Sequence, residues 1–527
     1  MTTVTSLPRP DQASLAAFLQ RLDGQPPDVW LAQVQQLVLR RELSIALALL
    51  DAASVRHPCA NDVRVAKAGL WIEAGDRQRG EELLREALAR EPRDIPAGFA
   101  LARLLRDQGR AQGAAAVLLS VIPPGLQDPE TILPALDLLG ECDRKREAAE
   151  LCEQQIAAGS SDPRIHVYSA MLLAQLGEFA LARQRYDFVL AHSSYACEWH
   201  VPHGLSSLQR YQNDTHADFA LFHDLVPRDN LSPAARASLL FAMGKAFDDI
   251  GHYAQAAHHL RQANQIAGTQ VSWSRKQWKR SVEARLRRTP PEDRLPASPD
   301  WTPVFIVGLP RSGSTLLGEL LGRHAQACNR GELPWLPTLM QQLDHDDAEQ
   351  LTRAAAAYAS RLRQDDSDAR WFIDKQPHNY MHVDRILAMF PQARILHCDR
   401  HARDNALSIW MQSFQPGTQD FACDFADIGA VVRGTRRLMQ HWASQYPQAV
   451  LTVRYEQLVS DPEACLDTVA TWLGLPAADL LAAPDSARRA ISTASLWQAR
   501  QPIHTGSIGR WRHYAAVVPE LLDLPDA

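Results

Sequence analysis

No run of 18 or more apolar residues occurs anywhere in the 527 residues, so no membrane-spanning helix is expected. The opening MTTVTSLPRPDQASL lacks a basic stretch followed by an apolar one, so no secretory leader is expected either. Positive charge is not in excess. Lysine and arginine number 55 against 61 acidic residues, a formal net charge of −6, which argues against nucleic-acid or polybasic membrane partners. Paired cysteines are missing as well. The eight (Cys59, Cys142, Cys152, Cys197, Cys328, Cys398, Cys423, Cys465) are scattered without a CxxC, which suits reduced thiols in a cytoplasm better than a disulfide framework or zinc site. No HExxH or carboxylate cluster at metal-ligand spacing is found, so no metal is expected.

The first half is rich in alanine and leucine and reads as helix throughout. The segments AGDRQRGEELLREAL, QGRAQGAAAVLLSVI, ECDRKREAAELCEQQ and LGEFALARQRYDFVL share one frame. Each starts near a small or turn residue and continues as an amphipathic run with alanines. The anchors Gly75, Gly109, Cys142 and Gly177 stand 34, 33 and 35 residues apart, and a further copy starts at Gly251. Residues 1–60 look helical with a weaker frame. This period resembles that of tetratricopeptide repeats, which implies an all-α helical-repeat solenoid over residues 1–270 and a concave surface suited to a peptide or protein partner. An ordinary helical bundle with accidental spacing is the plainer alternative.

Residues 271–302 join the halves. SWSRKQWKRSVEARLRR reads as a basic helix, either a solvated face or a strap lending positive potential to an anionic pocket, and the proline-rich TPPEDRLPASPDWTP reads as a linker. From 303 to 527 the pattern changes. VFIVG (304–308), WFID (371–374), ARILHC (393–398) and VLTVRY (450–455) read as strands, alternating with helical stretches near 314–323, 381–390, 402–414 and 428–446. That alternation implies an α/β domain with a mostly parallel sheet, whose ligands sit beyond the carboxyl ends of the strands.

Gly308-Leu-Pro-Arg-Ser-Gly313-Ser-Thr has the glycine spacing of a P-loop, with Ser314 where the lysine of a nucleotide triphosphatase belongs. Losing that lysine argues against ATP or GTP hydrolysis. Backbone amides at a helix start, the hydroxyls of Ser312, Ser314 and Thr315, and the fork of Arg311 still suit a phosphate or sulfate. A ligand with a 5′-phosphate but no ordinary triphosphate tail follows.

PRSGSTLL directly after a strand resembles the 5′-phosphosulfate loop of sulfotransferases that use 3′-phosphoadenosine 5′-phosphosulfate (PAPS). ILHCDRHARDNALSIWMQSF, with Arg400 at a strand end and Ser408 eight residues on, is similar to the same family's 3′-phosphate site; Arg403 lies in the same turn. Within the family the likeness is to the tyrosylprotein sulfotransferase-like branch, over residues 303 to about 515. CNRGELPWLP resembles the segment carrying the catalytic carboxylate, implying Glu332 as general base. FIDKQPHNY resembles the lysine segment, implying Lys375. VRYEQLVSDP, with Tyr455, resembles a stretch that holds the nucleotide. TASLWQARQPIHTGSIGRW resembles the cofactor-covering loop, placing Ser495 on the transition-state serine and Arg510 on the 3′-phosphate lysine. Gly313 completes the phosphate loop. One arginine of that branch is Gln412 here, and the branch's eukaryotic membrane anchor and disulfides have no counterpart.

The resemblance implies transfer of a sulfuryl group from PAPS to a hydroxyl. Glu332 would take the acceptor proton, and Arg311, Lys375 and Ser495 would stabilise charge, with no metal demanded. The first candidate acceptor is tyrosine in a peptide or protein; a carbohydrate, lipid or small metabolite is the alternative. His324, His378 and His397 are weaker candidates for the base, and Trp410 and Trp442 read as core. A P-loop kinase or NTPase, or a non-catalytic repeat scaffold, are the readings of other classes; oligomeric state is not legible.

Overall fold

The computed structural model describes residues 10–288, 294–343, 347–476, 480 and 502–525. They divide into two compact units, residues 1–160 with 364–366, and residues 161–363 with 367–527. Among the described residues no helix is long and apolar enough to cross a membrane. All eight cysteines carry free thiols.

The first unit is built of helices: α1 (Gln12–Leu22), α2 (Pro27–Leu39), α3 (Leu43–Arg56), α4 (Asn61–Glu73), α5 (Arg77–Arg90), α6 (Ile95–Asp107), α7 (Ala111–Val121), α8 (Pro129–Glu141) and α9 (Lys145–Ala157). From α2 onward they pack as hairpins, and the turn inside each hairpin has one recurring form. Arg41, Gly75, Gly109 and Asp143 all hold positive φ, at intervals of 34 residues, and Gly177 of the second unit continues the series. At each, the following amide reaches back five residues to a helix carbonyl, as Asp76 does to Trp71 and Arg144 to Leu139, satisfying carbonyls that the helix end leaves open. The third anchor is therefore Asp143 and not Cys142. Arg41 brings residues 27–56 into the same series, where no glycine marks the turn.

Five residues past each turn stands a small buried residue: Ala46, Gly80, Ala114, Ala148 and Ala182. A Cβ on Gly80 would lie 2.4 Å from Ile72 Cγ1, so the side chain must be small for the paired helices to approach. Between hairpins, Asp94, Asp128 and Asp162 accept amide hydrogen bonds at the starts of α6, α8 and the next helix, again 34 residues apart.

The second unit opens with α10 (Pro163–Leu176) and α11 (Phe179–His192), then α12 (Val201–Ser207), α13 (Ala217–Leu225) and the long hairpin α14 (Pro233–Asp249) and α15 (Tyr253–Gly268). The basic helix α16 (Arg275–Leu286) lies along α22 (Phe425–Gln445). Trp278 fills the space left by Gly434 and donates to Ala430 O at 3.0 Å, and Arg275 pairs with Asp427.

The sheet is parallel throughout: β1 (Thr302–Gly308), β2 (Ala327–Asn329), β3 (Trp371–Asp374), β4 (Arg394–Asp399) and β5 (Val450–Arg454), in the order β2-β3-β1-β4-β5. Register runs Val304 beside Ile373 and Arg394, and Ile395 beside Val450. Every residue of β1 from Pro303 onward is buried, as a central parallel strand requires. The order reverses between β1 and β4, and a crevice is expected beyond their carboxyl ends. Connecting helices include α17 (Ser314–Leu321), α18 (Trp335–Gln342), α19 (Ala348–Arg363), α20 (Val383–Met389), α21 (Ala402–Trp410), α23 (Tyr455–Ser460) and α24 (Pro462–Leu473), with α25 (Trp511–Tyr514) near the end. One hydrophobic core draws on both chain halves: Phe247 and Leu260 of α14 and α15 share it with Trp410, Ile428 and Tyr514.

Candidate active site

At the switch point β1 ends on Gly308, φ 144°, where a Cβ would stand 2.4 Å from the Cys398 carbonyl of β4. Only glycine lets the two strand ends run that close. The chain turns through Arg311, whose φ of 66° is unusual for a residue with a side chain, and Gly313, φ 97°, and enters α17. A Cβ at Gly313 would meet the Tyr455 ring at 2.6 Å, so this glycine seats the tyrosine against the loop.

Beyond this turn lies a cavity of about 510 Å³. Arg311, Gly313, Ser314 and Thr315 line it from the loop, Arg400 and Ser408 from the end of β4 and α21, and Glu332, Tyr455 and Arg510 from three further segments. Arg311 Nε donates to Ser408 Oγ at 3.1 Å. Arg400 donates to Arg311 O and to Ser507 O, each at 2.9 Å, and its guanidinium lies 4.5 Å from the centre of the Tyr455 ring. Burial, then the charges of Arg400 and Arg510, push the Arg311 guanidinium down to about 10. Burial lowers Arg400 too. Three cations held this close are favoured by an anion among them. Two buried polar atoms, Ser312 Oγ and Arg400 Nε, have no partner among the described residues. The donor set therefore fits a ligand bearing phosphate or phosphosulfate.

Lys375 lies beneath the cavity, not on its wall. It follows β3, is 3% exposed, and pairs with the Glu332 carboxylate, which is 41% exposed. Its amide donates to Gly331 O at 2.7 Å, fixing the Glu332 turn. Behind the pair, Asp374 accepts from Tyr358, from Asn379 at 2.7 Å and from Leu333 N at 3.3 Å. Burial pushes its carboxyl up to about 7.

Some expectations are redirected. Arg403 turns away from the cavity, donating to Leu522 O and Leu524 O and packing on Trp511. Helix α16 contributes nothing to the cavity wall; Lys276, Lys279 and Arg280 line a shallow groove of their own, which does not support the strap. His324 and His397 line no part of the cavity, and His378 is half-buried with its ring nitrogen 2.9 Å from Gln419 Oε1. Trp410 and Trp442 are buried. Ser495 lies outside the described residues.

Three residues carry site contacts that sequence reasoning did not single out. His203, on α12, lines the cavity, with burial lowering its imidazole to about 4. Asp404 accepts from the amides of Gly509 at 2.7 Å and Trp511 at 2.9 Å and so pins the segment carrying Arg510. Asp248, on α14, pairs with Arg510 itself and accepts from Tyr514 Oη at 2.7 Å. Each partner lies about a hundred residues away or more, and no local spacing announces such contacts.

Comparison with known proteins meets this geometry. Residues 303–479 match the sulfotransferase family and residues 72–131 the tetratricopeptide repeat. An uncharacterized protein of Aquifex aeolicus is 26% identical over 420 residues, covering 75% of this chain. The match takes in 54% of that protein's length, so the chain spans about half of its relative. Among solved structures, a sulfotransferase domain from the curacin biosynthetic pathway is similar at 21% identity and TM-score 0.31, covering 44% of this chain and all of that one. A sulfotransferase from Mycobacterium tuberculosis is similar at 16% identity and TM-score 0.25, covering 53% and 96%. A tetratricopeptide repeat protein from Parabacteroides merdae is similar at 15% identity and TM-score 0.27, covering 45% and 92%.

Proposed function

We propose that this chain is a PAPS-dependent sulfotransferase acting on an acceptor hydroxyl. The observation that carries the reading is the convergence of three arginines, Arg311, Arg400 and Arg510, on a lysine-less phosphate loop at the sheet's switch point. Ser312, Ser314, Thr315 and the amides at the start of α17 would hold the 5′ side of the nucleotide. Arg400, Ser408 and Arg510 would hold the 3′-phosphate, and Tyr455 would pack beside it. When bound, PAPS supplies the sulfuryl group and a phosphate leaving group.

Glu332, on the cavity wall and paired with Lys375, would take the acceptor proton. Lys375, which does not line the cavity, would act by holding the Glu332 carboxylate, and Arg311 on the cavity wall would stabilise charge on the leaving oxygen. The wall formed by Gln412, Ser413, Phe414, Gln415, Thr418 and Gln419 offers amides, hydroxyls and one ring, with no formal charge. That wall favours an uncharged hydroxyl group, such as the phenol of tyrosine in a peptide, with a sugar or small metabolite as the alternative. The repeats offer a surface for such a polypeptide, and the unpaired thiols suit a cytoplasmic setting.

The test is calorimetric titration with the desulfated nucleotide 3′,5′-ADP (PAP) in metal-free buffer. Wild type should bind, and Arg400→Ala should weaken binding about tenfold, roughly 1.4 kcal/mol. Binding of ATP with Mg²⁺ but not PAP would overturn the reading in favour of a P-loop kinase or NTPase.

A further inference from the structure

The last helical hairpin, α14 and α15, reaches the nucleotide side of the cavity through one carboxylate. Asp248 sits in the final turn of α14, three residues before the left-handed Gly251. The corresponding residues before the other regular turns are Val38, Ile72, Arg106, Gly140 and Ala174, so a carboxylate stands here in the last hairpin alone. Its side chain is 9% exposed, and its oxygens have two partners: Oδ2 takes the Arg510 guanidinium and Oδ1 takes the Tyr514 hydroxyl at 2.7 Å.

The end of α14 is itself braced. Asp249 accepts from the Tyr211 amide at 3.0 Å and from Lys245 Nζ at 2.5 Å, and Tyr253 stacks on His513 with ring centres 5.0 Å apart. Arg510 lines the cavity. It uses Nη2 on Asp248, while its Nε and Nη1 have no partner among the described residues. Burial works against its charge, and Asp248 more than offsets that, raising the guanidinium's pKa.

We infer that Asp248 is a positioning residue for the nucleotide: it holds Arg510 with two donors turned to the 3′-phosphate, making the last hairpin of the helical array part of the cofactor site. This rests on the PAPS reading above. Two effects oppose each other at Asp248, and their signs differ. A carboxylate near an anion site weakens anion binding through its charge, so deleting it should strengthen binding if charge alone matters. Deleting it also frees a long side chain whose ordering must then be supplied by the ligand, which weakens binding. A dianionic phosphate gripped by an oriented fork makes the second effect the larger.

The experiment is a double-mutant cycle read by calorimetry with PAP and with 5′-AMP, which lacks the 3′-phosphate. Asp248→Ala should weaken PAP about tenfold and leave AMP within about twofold of wild type. In the Arg510→Ala background the same substitution should change PAP affinity by less than about twofold. Asp248→Asn keeps the volume and an acceptor oxygen, so it guards against misfolding of the alanine variant, and it should show a smaller loss with the same dependence on Arg510. Equal losses for PAP and AMP, additive losses in the cycle, or tighter PAP binding by Asp248→Ala would each overturn the inference. Failure of wild type to bind PAP would remove the PAPS reading on which it stands, which is a separate outcome.

Discussion

Asp374 shows how one buried group ties the site to the fold. It sits at the carboxyl end of β3 and accepts three hydrogen bonds, one from the amide that follows Glu332. Burial outweighs those donors and pushes its carboxyl up to about 7. In the unfolded chain the same group titrates near 3.9. Across that window the folded protein holds a proton that the unfolded chain has released, so stability falls as pH rises from about 4 to about 7 and is flat above. On the order of 4 kcal/mol is at stake. Asp374→Asn imitates the protonated form. The urea midpoint of wild type relative to this variant should therefore fall with pH across the window. A constant difference between the two would show that Asp374 titrates as in the unfolded chain.

The repeat turns carry the clearest sequence-to-structure relation at the level of elements. Left-handed backbone costs a residue with a Cβ about 1–2 kcal/mol, and glycine adopts it freely. Gly75, Gly109 and Gly177 made the period legible for that reason. Asp143 shifted the reading by one residue, since aspartate tolerates this conformation without advertising it. Arg41 hid a whole hairpin, because an arginine in the left-handed region looks like any other surface residue. Arg41→Gly should thus stabilise the chain by about 0.5–1 kcal/mol, with a smaller gain for Asp143→Gly and a loss of about 1 kcal/mol for Gly109→Ala. Urea melts followed by far-UV circular dichroism would show midpoints moving in these opposite directions; unchanged midpoints would mean that the turns are not strained. In the sheet, β3 was legible residue for residue because four apolar or buried positions stand together between polar stretches. Strand β2 is three residues long and gives no pattern to read.

At the level of the whole chain, sequence grammar and packing divide the molecule differently. Composition changes near residue 270, where helical repeats give way to strands, while the compact units part at Ser160 and Ser161. The difference comes from a core that sequence patterning cannot see. Phe222, Phe247 and Leu260, from helices of the repeat-like half, are buried in one cluster with Trp410, Phe421, Ile428 and Tyr514. Arg261 pairs with Glu520, and Asn264 donates to Trp410 O at 2.9 Å. Each large side chain in such a core contributes about 1.5–3 kcal/mol by burial, against a total stability of about 5–15 kcal/mol for a domain. Losing several at once exceeds that margin. A fragment of residues 161–527 should therefore express as a folded protein that binds PAP with wild-type affinity to within about threefold. A fragment of residues 271–527 carries every implied nucleotide contact yet loses α14, α15 and Asp248, and should aggregate or fail to bind. Circular dichroism, size-exclusion chromatography and PAP titration on the two fragments decide the matter. A folded 271–527 fragment with intact affinity would mean that the helical hairpin is an attachment to the site and not a part of it.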